Sequence, residues 1–223
     1  MKILSIDTSS NICTVAVLEN YECKEEIIVD DARNHSEKIM PVIEEALNKT
    51  NLNLTDIDLI VCDKGPGSFT GIRIGVGTVL AFQDSLNIPC IGVSSLEALA
   101  YNVKNNGIIC SLIDAKNQNV YFGLFEKNDY YKQLEDFSFL SIDEVSLKLK
   151  KYDNITFVGD GTLIYKELLK NNFNNCNFCN KNVLSSYSLA LAGLDKYNSN
   201  IKNNIMPLYL RKSQAERATE NNK

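Results

Sequence analysis

The sequence contains a single histidine, His35, among 223 residues. Histidine, cysteine and carboxylates are the usual zinc ligands in proteins, and a structural zinc site takes about four of them. Cys176 and Cys179, in the segment CNFC, have the spacing of a metal or redox motif, but no second CxxC segment accompanies them. The sequence therefore disfavours zinc or redox chemistry, and we predict no metal site.

Long basic runs are also missing. The formal net charge is -5, and the densest basic clusters, near 148–151 and 211–212, are short. A surface of this charge repels nucleic acid as a whole. Any contact with RNA is therefore expected to depend on a partner that supplies the basic surface.

No apolar run approaches the roughly 18 residues that a membrane-spanning helix needs. The apolar start of the chain turns polar at Asp7, which is too early for the core of a signal peptide. The seven cysteines are an odd number, which argues against a disulfide framework. These observations predict a cytosolic protein with reduced cysteines and no membrane contact.

Two segments about a hundred residues apart share one design. The segment KILSIDTSSNICTVAVL reads as a strand, a polar turn and a second strand, and IICSLIDAKNQNVYFGLF repeats this order. Asp7 and Asp114 occupy the same place in the two copies. An amphipathic helix and another strand follow each hairpin, so the pattern predicts an internal duplication and an α/β fold of two lobes. We place the lobes at 1–103 and 104–223, with the last segment, about 205–223, docking back on the first lobe as a strand or a helix.

The stretch KGPGSFTGIRIG, from Lys64 to Gly75, allows two interpretations. A glycine loop between a strand and a helix can bind an anion through free backbone amides. However, the stretch matches neither the P-loop nor the dinucleotide fingerprint. Gly71 and Gly75 lie on one face of the predicted helix, and the interior glycines Gly75 and Gly77 each cost about 1 kcal/mol relative to alanine. Close approach of another helix is the simplest explanation, so we favour a tight turn that leads into a packed helix.

Three further sites leave alternatives open. His35 stands before the predicted helix SEKIMPVIEEAL, where a capping or interface role is favoured over catalysis. Asp7 and Asp114 suit a hydrated magnesium ion beside a nucleotide, but aspartate also favours such turns for structural reasons. Asp160 ends the next predicted strand of the second lobe and is a third cleft carboxylate.

Seven segments occur in the order and at the spacing of the bacterial TsaB (YeaZ) family: ILSIDTSS, RNHSEKIMPVIEEAL, GPGSFTGIRIGVGT, IPCIGVSSLEALA, IDAKNQNVYFGLF, VGDG and PLYLRK. The chain resembles that family over nearly its whole length. The resemblance implies an actin-like, Hsp70-like and sugar-kinase-like fold, in which each lobe has a five-stranded mixed sheet flanked by helices.

The resemblance also implies a function. Family members are partner subunits of the transferase TsaD in making N6-threonylcarbamoyladenosine at position 37 of tRNAs that read codons beginning with A. TsaD forms the heterodimer, the ATPase TsaE joins it, a homodimer forms without TsaD, and tRNA is contacted only through the complex. TsaD carries an HxxxH metal motif where this chain has Ser95 and Leu99, which implies a non-catalytic subunit.

The partner contact implied by the resemblance uses the helices from about His35 to Leu47 and from about Gly71 to Leu86. The residues predicted at or near this contact are His35, Ile39, Gly71, Ile72, Gly75, Val76, Thr78 and Val79. A degenerate nucleotide site is predicted at Asp7, Thr8, Asp114 and Asp160, with ATP or ADP and magnesium bound only weakly or at the complex interface. The alternative function is an ATP-dependent small-molecule kinase of the same fold, with a catalytic carboxylate among these aspartates.

Overall fold

Two five-stranded sheets form the frame of the computed structural model, which describes residues 1–30, 35–201 and 205–211. The first half of the chain contains β1 (Lys2–Asp7), β2 (Ile12–Glu19), β3 (Glu22–Asp30), α1 (His35–Lys49), a 3-10 turn (Leu54–Asp56), β4 (Leu59–Asp63), α2 (Phe69–Leu86), β5 (Cys90–Val93) and α3 (Ser95–Ala100). The second half contains β6 (Gly107–Asp114), β7 (Asn119–Lys127), β8 (Tyr131–Ser141), α4 (Ile142–Leu149), β9 (Ile155–Val158), α5 (Asp160–Ile164), α6 (Lys166–Asn172), β10 (Cys176–Phe178) and α7 (Ser186–Asn198).

The two sheets have the same topology. The first has the strand order β3-β2-β1-β4-β5, and the second, read from its opposite edge, has the order β8-β7-β6-β9-β10. In each sheet the central strand pairs antiparallel with the hairpin strand and parallel with the strand after the helix. The predicted duplication is confirmed, and Asp7 and Asp114 end the equivalent central strands β1 and β6.

Both predicted hairpins and the helix that begins at His35 are confirmed. In the second lobe, the two short helices α5 and α6 meet at Tyr165. The pattern did not assign the outer strands β3 and β8. Most residues of these edge strands are exposed or half-buried, so their apolar content is too low to mark them clearly as strands.

Helices cover both faces of the first sheet. Alternate residues of β1 and β2 point to opposite sides, where one core includes α1 and α2 and the other includes α7. The start of α7 is fixed by the Ser186 hydroxyl, which donates to the Thr14 carbonyl at 2.8 Å. Its end is fixed by an ion pair of Lys196 with Glu97 at 2.7 Å. A helix from the second half of the chain thus packs on the first sheet, and the lobe boundary at 103/104 stays a prediction.

Helix α2 crosses the end of β1 at very short range. The Thr8 hydroxyl donates to the Gly71 carbonyl at 2.7 Å. A Cβ atom on Gly71 would lie 1.9 Å from the Thr8 carbonyl oxygen, and one on Gly75 would lie 2.6 Å from the Thr8 hydroxyl. The close neighbour that these glycines require is therefore Thr8 of the same chain. The explanation by an approaching helix is corrected for Gly75, whereas for Gly77 it stays a prediction.

Gly77 differs from the other two glycines of the helix, because a Cβ atom there would meet nothing within 4 Å. We expect Gly71→Ala to destabilise the fold by about 2 kcal/mol or more, as overpacking against fixed backbone does. The matched control Gly77→Ala should instead stabilise it by about 0.5 to 1 kcal/mol through helix propensity. Urea unfolding of both variants measures the difference, and equal effects of the two substitutions would contradict the assigned orientation of α2.

Candidate functional site

A cleft of about 460 Å³ lies between the two lobes, at the carboxyl ends of their central strands. The first lobe lines it with the β1–β2 turn (9–12) and the loop before α2 (66–68), and the second lobe with the end of β6 (113–116), Asp160 and the segment 182–184. Ligands of open α/β sheets bind at such strand ends. This cleft is the candidate functional site.

The carboxylates on the second-lobe side of the cleft are occupied by contacts within the chain. Asp114 forms an ion pair with Lys116 at 2.6 Å and also accepts the backbone N–H of Lys116 at 3.1 Å. Asp160 accepts the backbone N–H of Asp114 at 3.0 Å. Burial raises the pKa of Asp160, although its backbone hydrogen bonds act in the opposite direction. These two predicted site residues are therefore neighbours in the cleft, and their role in a nucleotide site stays a prediction.

Asp7 does not line the cleft, because it is buried beneath the β1–β2 turn next to Asp63, the last residue of β4. The Ser9 backbone N–H donates to one oxygen of Asp7 at 2.7 Å. The other oxygen, Oδ2, has no hydrogen-bond donor among the residues that the structure describes. Thr8, the remaining predicted nucleotide-site residue, is buried against α2.

Asp63 is held by three donors. The Gly65 backbone N–H and the Ser95 hydroxyl donate to its Oδ1 at 2.6 and 2.7 Å, and the Ser9 hydroxyl donates to its Oδ2 at 3.1 Å. Burial raises its pKa well above the usual range, and the charge of Asp7 raises it further. Burial also raises the pKa of Asp7. Two adjacent buried carboxyl groups cannot both ionise cheaply, so burial and the mutual charge of Asp7 and Asp63 both raise the pKa of Asp63 and favour a protonated carboxyl in this pair.

Asp63 and its partner Ser9 were missed by sequence reasoning. A signal was available, since Asp63 follows the buried strand LIVC just as Asp7 follows LSI and Asp160 follows the strand ITFV and a glycine. The parallel pairing of β1 with β4 brings the ends of these strands together. The duplication should therefore have indicated a carboxylate pair in the first lobe.

A magnesium ion beside a nucleotide at these carboxylates stays a prediction. Such an ion uses one or two ionised carboxylates together with water and phosphate oxygens. Asp7 is enclosed, whereas Asp114 lines the cleft in an ion pair with Lys116. Within the described residues, no cluster of three or more His, Cys, Asp or Glu side chains is arranged to hold a metal ion.

The predicted partner-facing residues lie mostly on the inner sides of their helices. Seven of the eight are buried within this chain: His35, Ile39, Gly71, Ile72, Gly75, Val76 and Val79. His35 contacts the Ser10 carbonyl through Nε2 at 2.8 Å, and only Thr78 is half-exposed. These seven residues are therefore covered by the chain itself. Their place at or near a partner contact, and the binding of a partner by the two helices, stay predictions.

The outer sides of α1 and α2 carry a different set of residues. Met40 on α1 is 51% exposed, Leu80 on α2 is 37% exposed, and Gly77 and Ala81 are exposed beside Leu80. A groove of about 560 Å³ lies between the helices, lined by Met40, Pro41, Leu47 and Phe82 among others. We call Met40, Gly77, Leu80 and Ala81 the outer helix face.

Ser95 and Leu99 are buried in α3. The Ser95 hydroxyl donates to Asp63, and Leu99 packs in the core of the second lobe. Both side chains therefore have structural contacts.

In the described ranges, the structure contains no helix whose length and apolar character would let it cross a membrane.

The two-lobed architecture is shared with solved structures. YeaZ from Pseudomonas aeruginosa superposes with a TM-score of 0.78 and 24% identity, over 94% of this chain and 99% of that one. A ROK hexokinase from Thermus thermophilus superposes with a TM-score of 0.57 and 11% identity, over 91% and 100% of the two chains. The predicted actin-like, Hsp70-like and sugar-kinase-like fold is confirmed.

Sequence comparison defines the family. Residues 27–219 match the model of the TsaD family, described as tRNA N6-adenosine threonylcarbamoyltransferase. The tRNA threonylcarbamoyladenosine biosynthesis protein TsaB of Bacillus subtilis is 33% identical over 97% of this chain and 96% of its own length. The protein of the same name from Haemophilus influenzae is 28% identical over 95% and 94%. The chain belongs to the TsaB (YeaZ) family.

The Asp7–Asp63 pair makes stability depend on pH. A carboxyl whose pKa is higher in the folded state stabilises the fold at low pH, and this contribution is lost as pH rises above about 4 through the raised value. Asp63→Asn keeps the acceptor for Gly65 and Ser95 and supplies an N–H toward Asp7. We expect the variant to be more stable than wild type at pH 8 by about 1 to 3 kcal/mol.

Urea unfolding between pH 5 and pH 9 measures this difference. Asp129→Asn, in the exposed turn between β7 and β8, is the matched control and should leave the pH profile unchanged. An Asp63→Asn profile parallel to that of wild type would contradict the raised pKa of Asp63.

Proposed function

We propose that this chain is a non-catalytic partner subunit of a TsaD-type transferase in the biosynthesis of N6-threonylcarbamoyladenosine at position 37 of tRNAs that read codons beginning with A. Its relatives are named for that biosynthesis, and its family model is named for the transferase. The chain pairs with TsaD, TsaE joins the pair, and tRNA is bound through the complex. We place this activity in the cytoplasm.

The outer helix face carries the proposal. Gly77 lies in the interior of an 18-residue helix, where glycine costs about 1 kcal/mol, and no atom of the described structure occupies the space above it. Met40 on α1 and Leu80 on α2 expose apolar side chains. Small residues beside exposed apolar ones allow a helix of another chain to approach closely. We propose that a pair of helices from TsaD, or from a second copy of this chain, covers this face.

The non-catalytic role is supported by the contacts of the side chains in and beside the cleft. Ser95 and Leu99 are structural in this chain, and leucine cannot bind a metal. Asp114 is held in an ion pair with Lys116, and Asp7 and Asp63 are buried beneath the cleft lining. A kinase of the same fold would need a cleft carboxylate that is free to activate its acceptor, whereas Asp114 and Asp160 both have contacts within the chain, so the kinase alternative has weaker support. Any ATP or ADP is proposed to bind weakly or at the complex interface.

Reconstitution tests the proposed role directly. Purified TsaD, TsaE, threonylcarbamoyl-adenylate and tRNA are combined with or without this chain, and modified adenosine is measured by mass spectrometry. We expect at least a tenfold loss of product when this chain is omitted, and none from this chain alone. Full activity without the chain, or turnover by the chain alone, would refute the proposal.

A substitution at Gly77 tests the outer helix face. Gly77→Leu should weaken pairing with TsaD at least tenfold because the side chain fills the space that the partner helix needs, while the isolated chain stays folded. Asn171→Leu, on the exposed side of α6 in the second lobe, adds the same side chain away from the face and should pair normally. Calorimetric titration measures both affinities, with circular dichroism to verify folding. Wild-type affinity of Gly77→Leu would place the partner elsewhere.

A further inference from the structure

The segment 205–211 runs from the first lobe to the second without helix or strand structure. Its first residue, Ile205, is 6% exposed and is buried in the core that α1 and α2 share with the first sheet. The segment therefore begins anchored in the first lobe. We call it the interlobe strap.

The middle of the strap is attached to both ends of the loop before α2. The Leu208 backbone N–H donates to the Lys64 carbonyl at 2.7 Å. The Tyr209 ring stacks on Phe69, with the centroids 4.6 Å apart and the planes at 11°. Arg73 donates from Nε to the Tyr209 hydroxyl at 2.8 Å. Lys64 precedes the cleft-lining residues 66–68 and Phe69 follows them, so the strap holds this wall of the cleft from both sides.

The end of the strap is attached to the other wall. Arg211 donates from Nη1 to the Ala115 carbonyl at 2.9 Å, and its guanidinium lies 5.0 Å from the centroid of the Phe139 ring. Leu210 packs against the core that includes Tyr121 of the second sheet. Ala115 and Tyr121 both line the cleft. Two consecutive residues of the strap thus contact the second lobe directly.

We infer that the interlobe strap fixes the angle between the lobes and holds the cleft at one width. Only one residue, Leu210, separates the ring stack on Phe69 from the Arg211 contacts on Ala115 and Phe139. So short a connection cannot lengthen, and rotation of one lobe away from the other must break one of these attachments. Hinge motion around a ligand uses a few residues that absorb the change, and here the strap opposes it. The chain therefore presents the outer helix face and the cleft as parts of one rigid body.

Distance measurements between the lobes test this inference. Spin labels are attached through a keto-bearing unnatural residue at Glu37 on α1 and at Leu147 on α4, two exposed positions, so that the seven cysteines are not labelled. Labelled chain is diluted in unlabelled chain to suppress distances between copies. Double electron–electron resonance then measures the distribution of distances between the two labels. It is recorded for wild type and for the double variant Tyr209→Ala, Arg211→Met.

We expect one narrow distribution for wild type and at least a twofold broader one for the double variant. The matched controls Tyr130→Ala and Lys132→Met lie at exposed positions of the second lobe and should keep the wild-type width. A folded double variant with the wild-type distribution would overturn the inference, as would equal broadening in the controls. If the double variant does not fold, Arg211→Met alone is measured, and an unchanged width then overturns the inference.

Discussion

The contact between Thr8 and helix α2 positions both the outer helix face and one wall of the cleft. Gly71 and Gly75 bring the helix backbone onto the end of β1, where the Thr8 hydroxyl binds the Gly71 carbonyl. This crossing decides which side of α2 is buried. The opposite side, with Gly77, is consequently the one that is open to another molecule. The same crossing places the loop before α2 at the wall of the cleft.

The buried carboxyl pair lies directly beside this crossing. Asp7 precedes Thr8, and Asp63 ends the neighbouring strand, so the strand pairing that sets the crossing also brings the two carboxyl groups together. Burial raises the pKa of both groups, which disfavours a second buried charge, and Ser9 and Ser95 donate hydrogen bonds to the oxygens of Asp63. The polar groups at these strand ends are thus part of the protein interior. The interlobe strap adds to this rigidity, because its contacts with Phe69 and Arg73 fall on the first turns of α2.

Fold and family could be predicted from the sequence to a large extent. The hairpins, the helix that begins at His35 and the duplication depend on apolar periodicity and turn residues, which are local properties of the chain. The candidate site was predicted less well. Asp114 and Asp160 do line the cleft together, but Asp7 is enclosed, and its partner Asp63 was not identified. The residues predicted to face a partner lie mostly on the apolar side of each helix, and the chain itself buries that side.

The sequence by itself determined the order of elements, the repeated design of the lobes and the family. These follow from the spacing of neighbouring residues and from motifs that are continuous in the chain. Only the tertiary structure decided which side of α2 faces outward, that Asp63 meets Asp7, and that the strap touches both walls of the cleft. Each of these depends on atoms separated by tens of residues, such as Thr8 and Gly71 or Ala115 and Arg211. The physical reason is that the periodicity of the sequence identifies an apolar face of a helix. Only the distances between atoms in the folded chain show whether the chain itself or another molecule covers that face.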